Sequence, residues 1–402
     1  MPRDSGCVRL SHLECTSCGK RWEIRLRNTC DCGGPLFARY EWGELLPGDL
    51  RPRRDLWRYA PLLPLGEEEV QSRGEGGTPL HRLRTIGAGG RVARMKVADV
   101  YVKDEGLNPT GTFKSRGMAV AVPMAGHLGA KSLVAPSAGN AGAALAHYAA
   151  VYGLGATVFL TRDAPADARR LVQTFGARAC PTTGDITRAA RIAEDYAAAT
   201  GAFNLATLRE PYRVEGKKTL LFEIWEALGG LPDWILFPTG GGTGIAGLWK
   251  GLHELRQLGW YDGPMPRIGL VQPKGCAPLV KAWREGREDV EPWPRPRTAA
   301  SGLRVPSTIA DRIVLRAVRE TRGAGVAVSE HAMVMAAANL AVLEGVSACL
   351  EGAATLAGLR RLYDEGAITR DDRVVLVNTG SAEKGAGSPA SRYPPQTPQR
   401  KR

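Results

Sequence analysis

The sequence has no run of about eighteen apolar residues, and so it offers no candidate for a membrane-spanning helix. Its first residues are polar, and no apolar segment of the signal-peptide type follows them. Eight cysteines among 402 residues are too few for a dense disulfide framework. We therefore expect a protein of a reducing, cytoplasmic setting with no membrane partner.

Nucleic-acid motifs and internal repeats are also missing. The formal net charge is +13, but no basic helix is interleaved with aromatic residues. Part of the charge lies in Arg51, Arg53 and Arg54 and at the extreme end of the chain. A solvated basic surface explains this charge better than a nucleic-acid partner, and an anionic substrate is a further reason for it. No period of roughly 20–50 residues is present, which excludes a solenoid.

The composition fits a two-lobed α/β enzyme. A chain of 402 residues is too long for one ordinary core. Hydrophobic residues make up 44% and charged residues 24%, and many of the 49 glycines stand in short clusters between apolar runs. Such clusters are typical of loops that bring backbone close to a ligand.

A small cysteine module is predicted at residues 1–45. Cys15 and Cys18 form one pair, and Cys30 and Cys32 form a second pair beside two glycines. This pattern is similar to the knuckles of a zinc ribbon, although the second pair has only one intervening residue. Two readings stay open: a structural zinc ion, or a knuckle whose reduced thiols bind nothing.

Residues 46–75 read as a linker rich in Pro and Arg, and residues 385–402 as a disordered tail. Between them, apolar runs alternate with helical patterns, which indicates parallel sheets covered by helices. We predict a small lobe of about 110–200 inserted in a large lobe formed by 76–109 and 201–384. Pro123 should kink or shorten its helix, and 285–305 should be a long connection. The predicted strands are 93–97, 100–103, 132–135, 157–160, 234–237, 268–271 and 374–377. The predicted helices are 113–128, 141–152, 166–175, 186–200, 214–228, 244–258, 308–322, 330–343 and 353–365.

The first chemical motif is Asn-Pro-Thr-Gly-Thr-Phe-Lys at residues 108–114. It follows a strand and opens a helix, which places Lys114 in the first helical turn. The positive end of the helix dipole disfavours a charged ammonium there and lowers its pKa. A neutral amine is what imine formation with an aldehyde requires.

Two glycine-containing loops follow, each between a strand and a helix. The first, Ser-Ala-Gly-Asn-Ala-Gly at 137–142, lets backbone approach a flat ligand and offers the amide of Asn140. The second has four glycines in five positions, and successive N–H groups at a helix start form an anion cradle. It matches neither a P-loop nor a dinucleotide fingerprint, so a monophosphate is the best fit. This second loop consists of Gly240, Gly241, Gly242, Thr243 and Gly244.

Thr379 lies at the carboxyl end of the last predicted strand, two residues beyond it. Ligands of open parallel sheets lie beyond the carboxyl ends of the strands. A threonine hydroxyl there can meet a ring nitrogen and leave it largely unprotonated.

In this order, the motifs resemble the fold type II pyridoxal-phosphate (PLP) enzymes, the tryptophan synthase β-subunit family. Within that family, residues 76–384 look like threonine synthases, and the blocks 211–219 and 351–355 add to the likeness. The resemblance implies that Lys114 forms the internal aldimine, Asn140 meets O3′ of the cofactor, residues 240–244 hold its phosphate and Thr379 meets its ring nitrogen. It further implies that Arg213 and Ser137 bind substrate, with Lys217 and Arg209 as weaker candidates.

Two departures from the family pattern stand out. Ser115 replaces a common Asp, and Ser381-Ala382-Glu383-Lys384 breaks the usual continuation after Thr-Gly. The implied reaction converts O-phosphohomoserine and water to threonine and phosphate, with a homodimer as the usual assembly. Alternatives on the same scaffold are a threonine or serine ammonia-lyase and a β-replacement enzyme that uses phosphoserine. A non-catalytic relative that binds nucleic acid is the alternative from another class.

Overall fold

The computed structural model describes residues 9–86 and 95–385, and within them three sheets carry the fold. An antiparallel sheet of order β2-β1-β3 forms the cysteine module. A six-stranded sheet has the order β12-β11-β10-β13-β5-β4, parallel except for its edge strand β4. A parallel four-stranded sheet has the order β8-β7-β6-β9. The strands are β1 (Arg9–Cys15), β2 (Arg21–Trp22), β3 (Leu36–Glu41), β4 (Leu80–Arg82), β5 (Asp99–Asp104), β6 (Ser132–Ser137), β7 (Gly155–Leu160), β8 (Arg178–Pro181), β9 (Phe203–Asn204), β10 (Trp234–Pro238), β11 (Arg267–Pro273), β12 (Ala324–Val328) and β13 (Arg373–Asn378).

Helices cover these sheets, as the alternation of patterns predicted. Within the described residues, no helix is long and apolar enough to span a membrane. The helices are α1 (Lys114–His127), α2 (Asn140–Val151), α3 (Ala166–Thr174), α4 (Ile186–Thr200), α5 (Arg213–Leu228), α6 (Thr243–Gln257), α7 (Pro278–Arg284), α8 (Asp311–Glu320), α9 (Glu330–Glu344) and α10 (Leu350–Asp364).

The central strand β10 shows why the large sheet is buried on both faces. Ile235 and Phe237 belong to one hydrophobic cluster, together with residues of α6 and α8. Trp234 and Leu236 point to the opposite face and belong to a second cluster with residues of α10. Alternation along a strand thus supplies two cores, and the α/β prediction is confirmed.

Several predicted boundaries need correction. The strand expected at 93–97 does not form at residues 95–97, and residues 93 and 94 lie outside the described part. α1 runs unbroken through Pro123, so the helix is not shortened there; its residues 115–125 are all buried, and their packing outweighs the lost backbone hydrogen bond. α7 lies just before the long connection and was not predicted. The predicted tail falls almost wholly on residues outside the described part.

The segment 46–75, interpreted as a linker, packs closely against the body. It contains the 3₁₀ helix Leu56–Leu62, in which Trp57 is fully buried. The indole N–H of Trp57 donates to Glu75 at 2.7 Å.

The strand β9 belongs to the smaller sheet, just beyond the expected lobe boundary at 200.

A buried ionic cluster joins α1 to the large sheet. The guanidinium of Arg116 donates to Glu105 at 2.6 Å and to Glu223 at 2.6 Å. Lys103 donates to the other Glu223 oxygen at 2.6 Å, so two cations balance two carboxylates. Burial alone would raise the pKa of Glu223, but Arg116 and Lys103 outweigh it and lower that pKa to about 2. The cluster fixes α1 two residues after Lys114.

We expect Arg116→Ala to lower the free energy of unfolding by roughly 3–5 kcal/mol, because it leaves two carboxylates buried without their main partner. The control, Arg170→Ala, breaks an exposed pair with Asp167 and should change stability little. Urea denaturation followed by circular dichroism measures both variants. Equal stability losses would show that the buried cluster does not hold α1.

Candidate active site

A cavity of about 1210 Å³ lies at the carboxyl ends of the parallel strands. All four motifs predicted from the sequence meet there, although they are spread over more than 240 residues of the chain. A large pocket with a few converging polar groups is the usual form of a small-molecule site. The motif residues that line it are Lys114, Ser137, Asn140, Gly240, Gly241, Gly242, Thr243, Gly244 and Thr379.

Lys114 is the first residue of α1, as the motif predicted. The preceding turn places Gly111 at φ +70°, a conformation that favours glycine. The Ser115 hydroxyl accepts from the Thr110 N–H at 3.2 Å and lies 2.7 Å from the Thr110 hydroxyl. The serine that replaces the more common aspartate therefore fastens the turn that presents the lysine.

The amine of Lys114 sits at the cavity wall, close to positive charge. Burial, followed by the positive charge of Arg213, lowers the pKa of Lys114 to about 7. Its Nζ lies 4.1 Å from the centroid of the Phe113 ring. Much of the amine is therefore neutral and nucleophilic near pH 7.

A backbone clasp, formed by the segments 111–113 and 379–381, holds the lysine turn against the end of β13. The Phe113 N–H donates to the Thr379 carbonyl at 3.1 Å, and the Ser381 N–H donates to the Gly111 carbonyl at 3.0 Å. The Cys349 N–H adds a bond to the Gly380 carbonyl at 3.0 Å. The clasp uses backbone groups, so the altered side chains after Thr379 are compatible with it.

The glycine loop between β10 and α6 requires its glycines for space and conformation. A Cβ at Gly240 would collide with the Gly302 carbonyl, and one at Gly244 would collide with the Phe237 ring. Gly242 has φ +85°. The first N–H groups of a helix have no intrahelical partners, and those of α6 open at this loop into the cavity. The loop is therefore a cradle for an anion such as a phosphate monoester.

The Ser137 loop has a related construction between β6 and α2. The Ser137 hydroxyl accepts from the N–H groups of Gly139 at 2.9 Å and Gly142 at 2.8 Å. Gly139 has φ +138°, which directs the chain into α2. Asn140 starts that helix, is partly exposed and borders the cavity.

Arg213 and Lys217 lie behind the cavity wall rather than among its lining residues. The Arg213 Nη1 donates to the Leu205 carbonyl at 2.8 Å, but its Nε and Nη2 are buried without a partner in the described part of the chain. The Lys217 Nζ is likewise buried and unpaired, 4.3 Å from the Phe113 ring centroid. Burial, followed by the charges of Lys114 and Arg213, holds the pKa of Lys217 well below its usual value.

The structure adds cavity residues that the sequence did not single out. Arg297 and Arg304 line the cavity, and Arg304 pairs with Asp163. Glu351 lines it as well and accepts from the Gly302 N–H at 2.8 Å. No local signal marks the two arginines, because only the folded chain brings the connection 285–305 to the cavity.

The comparisons identify the class of protein. Residues 71–380 match the family described as "Pyridoxal-phosphate dependent enzyme", and the chain belongs to that family. It is 34% identical over 380 residues to the threonine synthase of Methanocaldococcus jannaschii, covering 92% of each chain. It is also 34% identical to the threonine synthase of Methanosarcina acetivorans, covering 92% of this chain and 91% of that one.

Solved structures support the same fold. Maize serine racemase superposes with a TM-score of 0.64 at 23% identity, covering 76% of this chain and 88% of the other. The processed form of threonine deaminase isoform 2 from Solanum lycopersicum gives a TM-score of 0.62 at 20% identity, covering 76% and 83%. At these identities the likeness concerns the fold.

The site fits the cofactor of this family. Lys114 would supply a partly neutral amine for the aldehyde, and the loop 240–244, whose glycines leave no room for side chains, would offer its backbone N–H groups to the phosphate. The Thr379 hydroxyl would be a neutral partner for the ring nitrogen, and Asn140 would offer an amide at the cavity edge. The donor set thus matches an aldehyde, a phosphate and an aromatic ring.

We predict that the rate at which the cofactor-free protein takes up PLP rises as the pH increases through about 7 and then levels off. The reason is that the unprotonated amine is the reactive form. Arg213→Gln removes a neighbouring positive charge, so the pKa of Lys114 should rise and the midpoint should move to higher pH. Stopped-flow visible absorbance measures this rate, and Lys114→Ala should abolish the covalent absorbance.

The matched control is Arg304→Gln. It removes a cavity-lining cation that is already paired with Asp163, and the midpoint should stay in place. If the pH midpoint of PLP uptake does not move in Arg213→Gln, the charge of Arg213 does not contribute to the lowered Lys114 pKa.

Proposed function

We propose that this chain is a threonine synthase, a PLP-dependent carbon–oxygen lyase that converts O-phosphohomoserine and water to L-threonine and phosphate. The observation that carries the proposal is the 34% identity to threonine synthases over 92% of the chain. The buried side chains of Arg213 and Lys217 support it, because they keep nitrogens without a partner among the described residues and the substrate bears a phosphate.

When bound, the cofactor acts as an electron sink for the bonds at the substrate's α-carbon. The chain supplies the proton transfers. Lys114 Nζ, with a pKa of about 7, can take up a proton at the α-carbon and return it along the substrate at neutral pH. The Phe113 ring lies 4.1 Å from this amine, which borders the cavity where the substrate would bind.

The proposed receptor for the leaving phosphate is Arg213 with Lys217, directly behind the cavity wall. Three of their buried nitrogens, Arg213 Nε and Nη2 and Lys217 Nζ, have no protein partner in the described residues. Such groups are costly unless a ligand pairs with them. Burial raises the pKa of nearby Glu210 to about 7, although Arg213 opposes the rise. Its carboxylate therefore neutralises the two cations only in part.

Ser137 and Arg209 are further candidates for the substrate. Ser137 borders the cavity and is 2% exposed; its hydroxyl oxygen accepts two backbone N–H bonds, so its proton stays free to donate. Arg209 lines the cavity as well and pairs with Glu194 at 2.8 Å. We propose that Ser137 donates to a substrate oxygen and that Arg209 adds positive potential at the cavity mouth.

Incubation with O-phosphohomoserine should yield threonine and phosphate in equal amounts, measured by amino-acid analysis and a phosphate assay. An ammonia-lyase would instead release a keto acid and ammonia from threonine or serine. A β-replacement enzyme would form a new product from phosphoserine and a nucleophile. Either result without threonine formation would overturn the proposal, and so would salt-dependent DNA binding without turnover.

We predict that Arg213→Gln and Lys217→Gln each raise KM for O-phosphohomoserine about 10- to 100-fold, because each removes a charged partner of the phosphate. The visible absorbance of bound cofactor should persist in both. Spectral titration with homoserine, which lacks the phosphate, should be unchanged. If homoserine binding weakens equally, the two residues do not act on the phosphate; Arg170→Gln is the exposed control.

We further propose that the protein acts on a small anionic amino acid and binds no nucleic acid. We also propose that it works in the cytoplasm as a homodimer. A homodimer is supported by α9, which packs on α10 and leaves Met335 41% and Val342 60% exposed. Seven residues apart, the two side chains share one face of the helix. A second copy would cover this apolar face.

Light scattering should therefore give twice the chain mass. The double variant Met335→Glu/Val342→Glu should give a single chain mass with unchanged circular dichroism, because charges on this face oppose burial. A wild-type monomer, or a variant that still dimerises, would contradict the assignment of this face.

A further inference from the structure

The four cysteines of the knuckle have the spacing of a tetrahedral metal site. Their sulfurs all lie within 4.8 Å of one another. Cys15 and Cys32 are 3.5 Å apart, Cys18 and Cys30 3.6 Å, and Cys18 and Cys32 3.5 Å. Four thiolates bound tetrahedrally to zinc at about 2.3 Å are about 3.8 Å apart. A disulfide would require about 2.05 Å.

Backbone N–H groups point at one of the sulfurs. The N–H groups of Ser17 and Cys18 donate to the Cys15 sulfur at 3.4 and 3.5 Å. Cys15 and Cys30 are buried and Cys18 and Cys32 exposed, so the cluster is anchored on one side and open on the other. Backbone donors of this kind orient and stabilise the ligands of a metal.

The loop between the two cysteine pairs also contacts the active-site lobe. Asn28 lies between Cys18 and Cys30, and its side-chain amide donates to the carbonyls of Asn204 and Arg209, both at 2.7 Å. It therefore spans both ends of the segment 204–209. Apart from the last residue of β9, this segment has no helix or strand of its own.

A second contact from the module lies just beyond that segment. On β3, the Tyr40 hydroxyl donates to Glu215 at 2.6 Å. Glu215 is two residues after Arg213 in α5 and also accepts from Lys218 at 2.7 Å. The module therefore holds the chain on both sides of Arg213.

The segment held by Asn28 forms part of the cavity. Ala206, Thr207 and Arg209 line it. The Thr207 methyl stands so close to Gly241 of the phosphate cradle that a Cβ there would lie 2.9 Å from it. Leu208 has φ +56°, an unfavourable conformation for a branched side chain that surrounding structure must maintain.

We propose that Cys15, Cys18, Cys30 and Cys32 bind one structural zinc ion, and that this ion, through Asn28, holds the segment 204–209 in its place at the active-site wall. Zinc fixes the loop that carries Asn28, and Asn28 fixes the carbonyls of Asn204 and Arg209. The ion lies outside the cavity and takes no part in the chemistry.

The metal is tested first. Mass spectrometry of the purified holoenzyme should give one zinc per chain, and Cys18→Ser/Cys32→Ser should give none. Cys180→Ser, at a half-buried thiol on β8, is the matched control and should keep one zinc. A wild-type protein without zinc, with iron in its place, or with a disulfide among these cysteines would overturn the metal assignment.

The tether is tested by amide hydrogen exchange of the full chain. In Asn28→Ala, exchange over 205–210 should become about tenfold faster, matching the loss of its hydrogen bonds, with one zinc retained. The zinc-free double variant should show the same acceleration, while β7 stays protected in both. Unchanged exchange over 205–210 in Asn28→Ala would overturn the tether. Neither readout uses the substrate, so this inference and the proposed function fail independently.

Discussion

The backbone clasp formed by the segments 111–113 and 379–381 is the constraint on which the site depends. It joins the start of α1 to the end of β13, two parts of the chain that are more than 260 residues apart. Through it, Lys114 at the start of α1 and Thr379 after β13 keep a fixed relation. Backbone groups make the clasp, so its geometry tolerates changes of side chain better than a contact between side chains would.

Two groups of buried charges serve opposite purposes around this clasp. Arg116 is fully paired with Glu105 and Glu223, and such pairing stabilises the fold without inviting a ligand. Arg213 and Lys217 are buried as deeply but keep unpaired nitrogens. The first group holds α1 in position, and Arg213 of the second adds to the effect of burial in lowering the Lys114 pKa. Burial alone therefore does not reveal the role of a charged residue; its pairing does.

Local signals predicted much of this architecture. The position of Lys114 at a helix start and that of the glycine loop before α6 can be predicted from neighbouring residues in the sequence. The structure brings both to one cavity. α10 begins three residues earlier than expected because the Cys349 sulfur accepts from the Gly352 N–H, a cap that rules based on Ser, Thr, Asp and Asn miss. The position of Arg304 at the cavity and the contact of Asn28 with the segment 204–209 both depend on contacts between distant parts of the chain. No local sequence pattern predicts such contacts.

Ser115 has a consequence for how this enzyme can change. A carboxylate beside the lysine would supply negative charge at the helix start and oppose the loss of its proton. The hydroxyl of Ser115 secures the turn through Thr110 without adding charge. The low pKa of the Lys114 amine therefore comes from burial first and then from a charge on a different helix, Arg213 on α5. Selection could retune the working pH of the catalyst at that distant position while the turn that presents the lysine keeps its shape.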